Sequence, residues 1–419
     1  MDVARDLETI RRLAEPAGRA LVAELGPYRA GEALAVLESL RSRGVDPDLA
    51  AAALTQARLR DAARPRLGAP ADEMLFTADG AEQATRTVVA DLHAGRFAAA
   101  GVRRVADLGC GIGADSLALV RAGVDVLSVE RDPITAAVAR ANLPPAPAAQ
   151  VRCADVLHTD LSDVDALFAD PARRAGGRRI QDPERWSPPL SAVIGLRDGR
   201  PMGVKVAPGM NHRDLGHAHA RWVSVDGDLV EAGLWYGAAA PEGPGRGATV
   251  VRDGVARHLL ERPDAPGADR ADAPVRAAGV APLGEYLIEP DAAVLRAGLV
   301  ARLGELTGAG IVSADIAYLT TDLPPERWPG HDDPAALGTA YRILDVMPFQ
   351  LKRLRAYLRE RDVGALTIKK RGTAVEPEQL RARLGLRGSD PATIVLTRVA
   401  GAQSVLLVEP LPSPGSPRP

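Results

Sequence analysis

Gly109, Gly111 and Gly113 stand at alternate positions between an apolar run, 102–108, and a segment of helical character, 115–120. That order predicts a strand, a tight glycine turn and a helix. A turn of this kind needs backbone angles that a Cβ resists, and bare backbone lets a ligand come close. The first N–H groups of the helix are unpaired and face whatever sits in the turn. The expected ligand is of nucleotide type, and the expected fold is an α/β sheet with the turn at a strand's carboxyl end. A second strand over 124–130 ends at Glu130, 17 residues beyond Gly113. In a βαβ unit that spacing puts a carboxylate where it can accept both hydroxyls of a ribose.

Two outlines fit the turn. Gly109-x-Gly111-x-x-Ala114 matches the dinucleotide fingerprint in its Gly/Ala form. Asp107-x-Gly109-x-Gly111-x-Gly113 closely resembles motif I of the class I S-adenosylmethionine methyltransferases. Asp107 favours the second, because a carboxylate repels a pyrophosphate and attracts an amino group and a sulfonium. The resemblance implies a doubly wound Rossmann-like sheet with S-adenosylmethionine as cofactor.

Length and composition bound the rest. A chain of 419 residues, 46% of them hydrophobic, is long enough for two or three domains. A net charge of −2 implies no attraction of the whole chain to nucleic acid or membrane. Two cysteines, Cys110 and Cys153, exclude a disulfide scaffold and fit a reducing cytoplasm. Residues 1–6 show no signal-peptide pattern, and no apolar run approaches the roughly 18 residues of a membrane span. His212, His217 and His219 cluster without cysteines or acids at ligand spacing, so no metal site is expected.

Taken in order, residues 1–95 read as a helical region. Apolar positions recur at helical spacing over 33–40 and 50–57, with Asp46-Pro47 as a helix start. Asp79 and Glu82 have the spacing of a capping box before another helix. Phe76-Thr77 just before it is similar to the aromatic–hydroxyl pair of trimethylguanosine-synthase-like enzymes, which implies a place over the cofactor.

Residues 96–262 read as the methyltransferase domain. After a third strand near 150–153, Asp155 occupies the place where methyltransferases that this chain resembles hold the adenine amine. A fourth strand ends at Asp170-Pro171-Ala172-Arg173-Arg174. This resembles motif IV of amino-methylating enzymes, Asp/Asn-Pro-Pro-aromatic. The resemblance implies that Asp170 and Pro171 orient an acceptor amine. Ala172 and Arg173 depart from the pattern, although a guanidinium plane also stacks on a base. Arg173, Arg174, Arg178 and Arg179 surround Gly176-Gly177 as a cationic loop suited to an anionic substrate, and Trp186 is a candidate for the missing aromatic. Lys205 lies inside the fifth strand, where a lysine needs a partner or a cleft. It is read as lining a cleft and guiding an anion, so Lys205→Arg is expected to cost activity more than stability. Asp226-Gly227 and Asp253-Gly254 predict two hairpins, an antiparallel end to the sheet.

Residues 263–340 read as a linker and connecting segment, with Pro, Ala, Asp and Gly abundant over 261–282, a helix over about 292–306 and a probable strand over 311–320, and 411–419 as a disordered tail. Residues 341–410 resemble the THUMP-like domain that follows such methyltransferase domains in bacteria; THUMP domains proper bind RNA. Within 351–388, eleven Lys and Arg stand against four acids, a net charge of +7. Lys369-Lys370-Arg371 at a strand end looks like a phosphate-contacting edge. The expectation is a cytoplasmic S-adenosylmethionine-dependent methyltransferase acting on RNA. A non-catalytic RNA-binding protein that keeps the fold, and a nicotinamide oxidoreductase, are the alternatives.

Overall fold

The computed structural model describes residues 3–175, 178–262, 278–330 and 333–412, the side chains of 174, 175, 178 and 179 excepted. The chain divides into two compact units, residues 1–207 with 233–243, and residues 208–232 with 244–419.

The first unit opens with four helices: α1 (Val3–Ala14), α2 (Pro16–Leu25), α3 (Ala33–Ser42) and α4 (Pro47–Leu67). Asp46 caps α4 by accepting from the Leu49 N–H at 3.0 Å, and Pro47 takes the first helical position. The single helix expected after residue 78 is two, α5 (Ala78–Gln83) and α6 (Thr87–Ala99). Its cap is Thr77, whose Oγ1 accepts from the Gly80 N–H at 3.0 Å, in place of Asp79.

Five parallel strands follow: β1 (Arg104–Leu108), β2 (Asp125–Glu130), β3 (Ala149–Cys153), β4 (Ala166–Ala169) and β5 (Met202–Val206). Their order is β5-β4-β1-β2-β3. Helix α7 (Ala114–Arg121) links β1 to β2, and α8 (Pro133–Asn142) links β2 to β3. The order reverses between β1 and β4. In an open parallel sheet, that switch point is where strand ends diverge and leave a crevice. Phe97, Phe168 and Trp235 pack under it, with Phe97 edge-on to Phe168 at 6.2 Å.

In the second unit β6 (His219–Val225) pairs with β8 (Gly245–Arg252), and β8 with β9 (Val255–Leu260). Strand β7 (Asp228–Tyr236) runs from the second unit into the first. Both expected turns form, with φ of 50° and 88° at Asp226-Gly227 and 49° and 75° at Asp253-Gly254. The hairpin expected across Asp253-Gly254 is antiparallel, β8 with β9, and β8 also pairs in parallel with β6. The strand expected over 311–320 forms as two, and further strands of the connecting stretch join it. Residues 278–340 supply β10 (Tyr286–Pro290), β11 (Gly310–Ser313), β12 (Ile316–Thr321) and the start of β13 (Gly338–Pro348). With β14 (Val363–Lys370), β15 (Asp390–Val399) and β16 (Ala402–Pro410) they form a seven-stranded sheet, β11-β12-β10-β13-β16-β15-β14. Gly298, with φ of 71°, splits the helix expected over 292–306 into Ala292–Arg296 and Val300–Thr307. Most of the linker expected over 261–282, and the tail from 413, lie outside the described residues.

Candidate active site

The site lies where β1 and β4 end side by side. Leu108 pairs with Ala169, so Gly109 and Asp170 are the next residues on neighbouring strands. They touch closely: a Cβ on Gly109 would stand 3.1 Å from the Asp170 carbonyl oxygen. The φ values of Gly109, Gly111 and Gly113 are 83°, 56° and 88°, the left-handed region that a side chain resists. Gly111 differs from its neighbours in one respect. A Cβ added there would meet nothing within 4 Å, so the backbone lies under open space.

Glu130 borders that space from the end of β2. Its Oε2 accepts from the Gly111 N–H at 3.2 Å and its Oε1 from the Asp132 N–H at 2.9 Å. These bonds fix the carboxylate while leaving each oxygen a lone pair. Asp155 follows β3 and is exposed. Its Oδ1 accepts from the Leu157 N–H at 2.8 Å, and its Oδ2 lies 3.8 Å from His158 Nδ1.

Asp107 departs from its expected place. It is 1% exposed, and Ser116 Oγ donates to its Oδ2 at 2.5 Å beneath the turn. Burial, then the Asp115 charge, raises its pKa to about 7. Its carboxyl is therefore an inward-facing support of the turn, only part-ionised at neutral pH. The full negative charge lies nearby, on Asp115. Burial alone would raise that pKa, but Lys205, His93 and Thr85 together hold it down at about 2.

Lys205 has a partner rather than an open cleft. It is 5% exposed, with Nζ donating to Asp170 Oδ2 at 2.6 Å and to Thr85 Oγ1 at 2.8 Å. The register explains this, since Ala169 pairs with Val204 and the next residues are Asp170 and Lys205. Thr85 Oγ1 donates in turn to Asp115 Oδ2 at 2.5 Å, and His93 Nδ1 lies 2.8 Å from Asp115 Oδ1. A buried polar chain thus runs His93, Asp115, Thr85, Lys205, Asp170. Only Asp170 reaches the crevice, its side chain 30% exposed. The expected role of Lys205 as a guide for an anion does not fit this burial.

Two other expectations are relocated. Phe76 is 2% exposed and packs in the core formed by the N-terminal helices, together with Ile112. Trp186 is 3% exposed, its indole Nε1 donating to the Ile180 carbonyl at 3.1 Å. It supports the arginine loop and offers no face to an acceptor. Arg173 is half-buried beyond Asp170 and Pro171. The Arg174, Arg178 and Arg179 side chains lie outside the described residues. In the second unit, Lys369 Nζ is 3.3 Å from Glu289 Oε2 and Lys370 Nζ 2.7 Å from Glu376 Oε1. The Arg371 guanidinium lies 5.1 Å from the Tyr318 ring centre. Each cation of the expected phosphate edge already has an intramolecular partner.

Sequence reasoning missed His93, Thr85 and Asp115. Asp115, two residues after the last glycine, carried a weak signal as an acid at a helix start. Thr85 and His93 carried none, since nothing local marks a side chain whose partners lie from 22 to 120 residues away.

Residues 106–170 match a methyltransferase domain family, residues 338–410 a THUMP domain-like family, and residues 6–63 a domain family of unknown function. An uncharacterized S-adenosylmethionine-dependent methyltransferase of Mycobacterium tuberculosis, found in strains CDC 1551 / Oshkosh and ATCC 25618 / H37Rv, is 35% identical over 338 residues. That match covers 80% of this chain and 87% of the mycobacterial one. This chain belongs to the S-adenosylmethionine-dependent methyltransferases. A solved structure of a Porphyromonas gingivalis W83 protein, described as a candidate methyltransferase, has the same fold, with a TM-score of 0.67 and 18% identity. The alignment covers 91% of this methyltransferase and 98% of the other chain. The cradle over Gly111 and the carboxylate of Glu130 suit the cofactor of the family, whose bound form supplies an electrophilic methyl group.

Among the described residues of the methyltransferase, no group of three or more His, Cys, Asp or Glu is placed to hold a metal ion. No described helix is long and apolar enough to cross a membrane.

Proposed function

We infer that this methyltransferase modifies RNA in the cytoplasm, with a base amine as acceptor at Asp170 and Pro171. The observation that carries the reading is the Asp170–Lys205 pair beside the glycine turn. Lys205 Nζ sits 2.6 Å from Asp170 and 3.9 Å from Asp115, and two carboxylates stabilise an ammonium. A lysine so placed serves to hold Asp170 still. Asp170 then has one oxygen tied to Lys205 and another to accept an N–H from the acceptor. An amine needs only this: alignment of its lone pair and exclusion of water. A hydroxyl would also need a strong base, which a doubly paired lysine does not provide.

In this reading Gly109, Gly111 and Gly113 admit the cofactor, Glu130 takes its ribose hydroxyls and Asp155 its adenine amine. Thr77 shapes the wall through the α5 cap. Arg173 and Arg174 flank the acceptor. The THUMP-like sequence and the cationic stretch 351–388 support RNA as the carrier of the amine. Lys369 and Lys370 contribute to that surface as members of ion pairs that a phosphate would have to displace, and Arg371 from its place over the Tyr318 ring.

The test is transfer of labelled methyl from S-adenosylmethionine to total RNA from cells lacking this protein, with Asp170→Ala as control. Label above the control, released as a methylated base on digestion, is expected. No label above the control would end the RNA reading; label on ribose would end the amine reading.

A further inference from the structure

The segment 74–77 belongs to no helix or sheet. Its backbone groups are instead held by side chains of two helices. On one edge Gln56 of α4, 7% exposed, takes both groups of Phe76: its Oε1 accepts from the N–H at 2.8 Å and its Nε2 donates to the carbonyl at 2.9 Å. Arg60 Nε, one turn further along α4, donates to the Met74 carbonyl at 3.0 Å. On the other edge Asn142 of α8 takes both groups of Leu75, accepting at 2.7 Å and donating at 2.9 Å. The second Nδ2 proton of Asn142 goes to the Ile112 carbonyl, at 2.9 Å, in the middle of the glycine turn. Two amides thus stand in for neighbouring strands, and one of them is tied to the turn.

The segment also presses on the turn through α5. A Cβ on Gly80 would fall 2.4 Å from Ile112 Cγ2, so only a glycine lets α5 come this close. The turn needs such support. Its glycines are held in the left-handed region, and Gly111 has open space on one side. A loop of this kind is mobile unless fixed, and ordering it on binding costs affinity.

We propose that the N-terminal helix α4, together with α8, clamps the cofactor turn through segment 74–77, with Gln56 and Asn142 as positioning residues for S-adenosylmethionine. They act through Phe76, Leu75 and the Ile112 carbonyl and touch no ligand themselves. The bundle over 6–63, which carries no chemistry of its own, thereby acquires a role in cofactor affinity. The inference rests on the family's cofactor and is independent of the acceptor.

Calorimetric titration of S-adenosylmethionine into the full chain tests it, with the Gln56→Leu, Gln56→Glu and Asn142→Asp variants. Gln56→Glu keeps the bond from the Phe76 N–H and loses the one to its carbonyl. Asn142→Asp keeps the bond from Leu75 and sets a charge against two carbonyls. The expected result is a rise in Kd of about tenfold for Asn142→Asp and Gln56→Leu, and a smaller rise for Gln56→Glu. Amide hydrogen exchange over 108–114 in the ligand-free variants should quicken. Thr55→Ala, on the exposed side of α4, should match the parent. If the clamp is merely structural, Tm falls while Kd stays within twofold and exchange over 108–114 is unchanged; that overturns the proposal. Should Gln56→Leu fail to fold, the two conservative variants carry the same comparison. No RNA enters the measurement, so its failure is distinct from failure of the RNA reading.

Discussion

Lys205 and Asp170 are separate signals along the chain, a lysine inside an apolar strand and an acid before a proline. The sheet makes them one unit. Breaking a buried pair strands a charge, which costs about 3–5 kcal/mol. Lys205→Met should therefore lower stability by about that much in chemical denaturation and abolish transfer. Asp170→Asn should leave most of the stability and lose the transfer, because Lys205 keeps Thr85 and Asp115 as partners. Lys205→Arg, expected from sequence to spare the fold, now has no room for its larger head and should lower Tm as well. Asp107 gives a prediction in pH. Its folded pKa of about 7 exceeds the ordinary carboxyl value, chiefly through burial. A raised folded pKa means that its contribution to stability is complete below about pH 4 and is lost as pH rises through 7. Asp107→Asn keeps an acceptor for Ser116 and should flatten this slope; parallel denaturation curves for parent and variant from pH 4 to 8 would refute the assignment.

At the scale of elements, the turn and its helix were legible because three glycines in five residues leave few conformations. Asp46-Pro47, the two Asp-Gly hairpins and all five parallel strands were legible for similar local reasons. Gly111 shows how a local requirement meets a functional one. Gly111→Ala has no clash to relieve but must hold a left-handed φ, at a cost of about 1–2 kcal/mol. The expected outcome is a Tm lower by a few degrees together with a much larger loss of S-adenosylmethionine affinity in calorimetry. A loss of affinity no greater than that of a helix-surface glycine variant would place the ligand elsewhere. The errors at this scale came from the same source. The break at 84–86 in the helix expected after residue 78 has no local mark, since Thr85 finds its partners in distant Asp115 and Lys205. Within 278–340 the strand over 311–320 is legible, but its membership in one sheet with β10 and β13 is not, because those partners are distant in the chain.

For the whole molecule, net charge hides a division. The chain totals −2 while 351–388 carries +7, so a polyanion meets one region and not the average. Lys352 and Arg353 are exposed on the helix Leu351–Glu360 and carry no ion pair among those described. Their double replacement by alanine should lower the slope of log affinity against log salt by about 1.5 for RNA. S-adenosylmethionine binding should not change. An unaltered slope in a filter-binding series would remove this helix from the RNA surface. The amino-acid sequence alone determined what depends on neighbours along the chain: the glycine turn, the order of strands and helices, the carboxylate of Glu130 and the cationic stretch. Tertiary structure alone decided which charged groups face inward. Burial of Asp107, the Lys205–Asp170 pair and the capture of segment 74–77 by Gln56 and Asn142 arise between residues far apart in the chain. Their energies exist only once the sheet excludes water and brings those groups within hydrogen-bond reach.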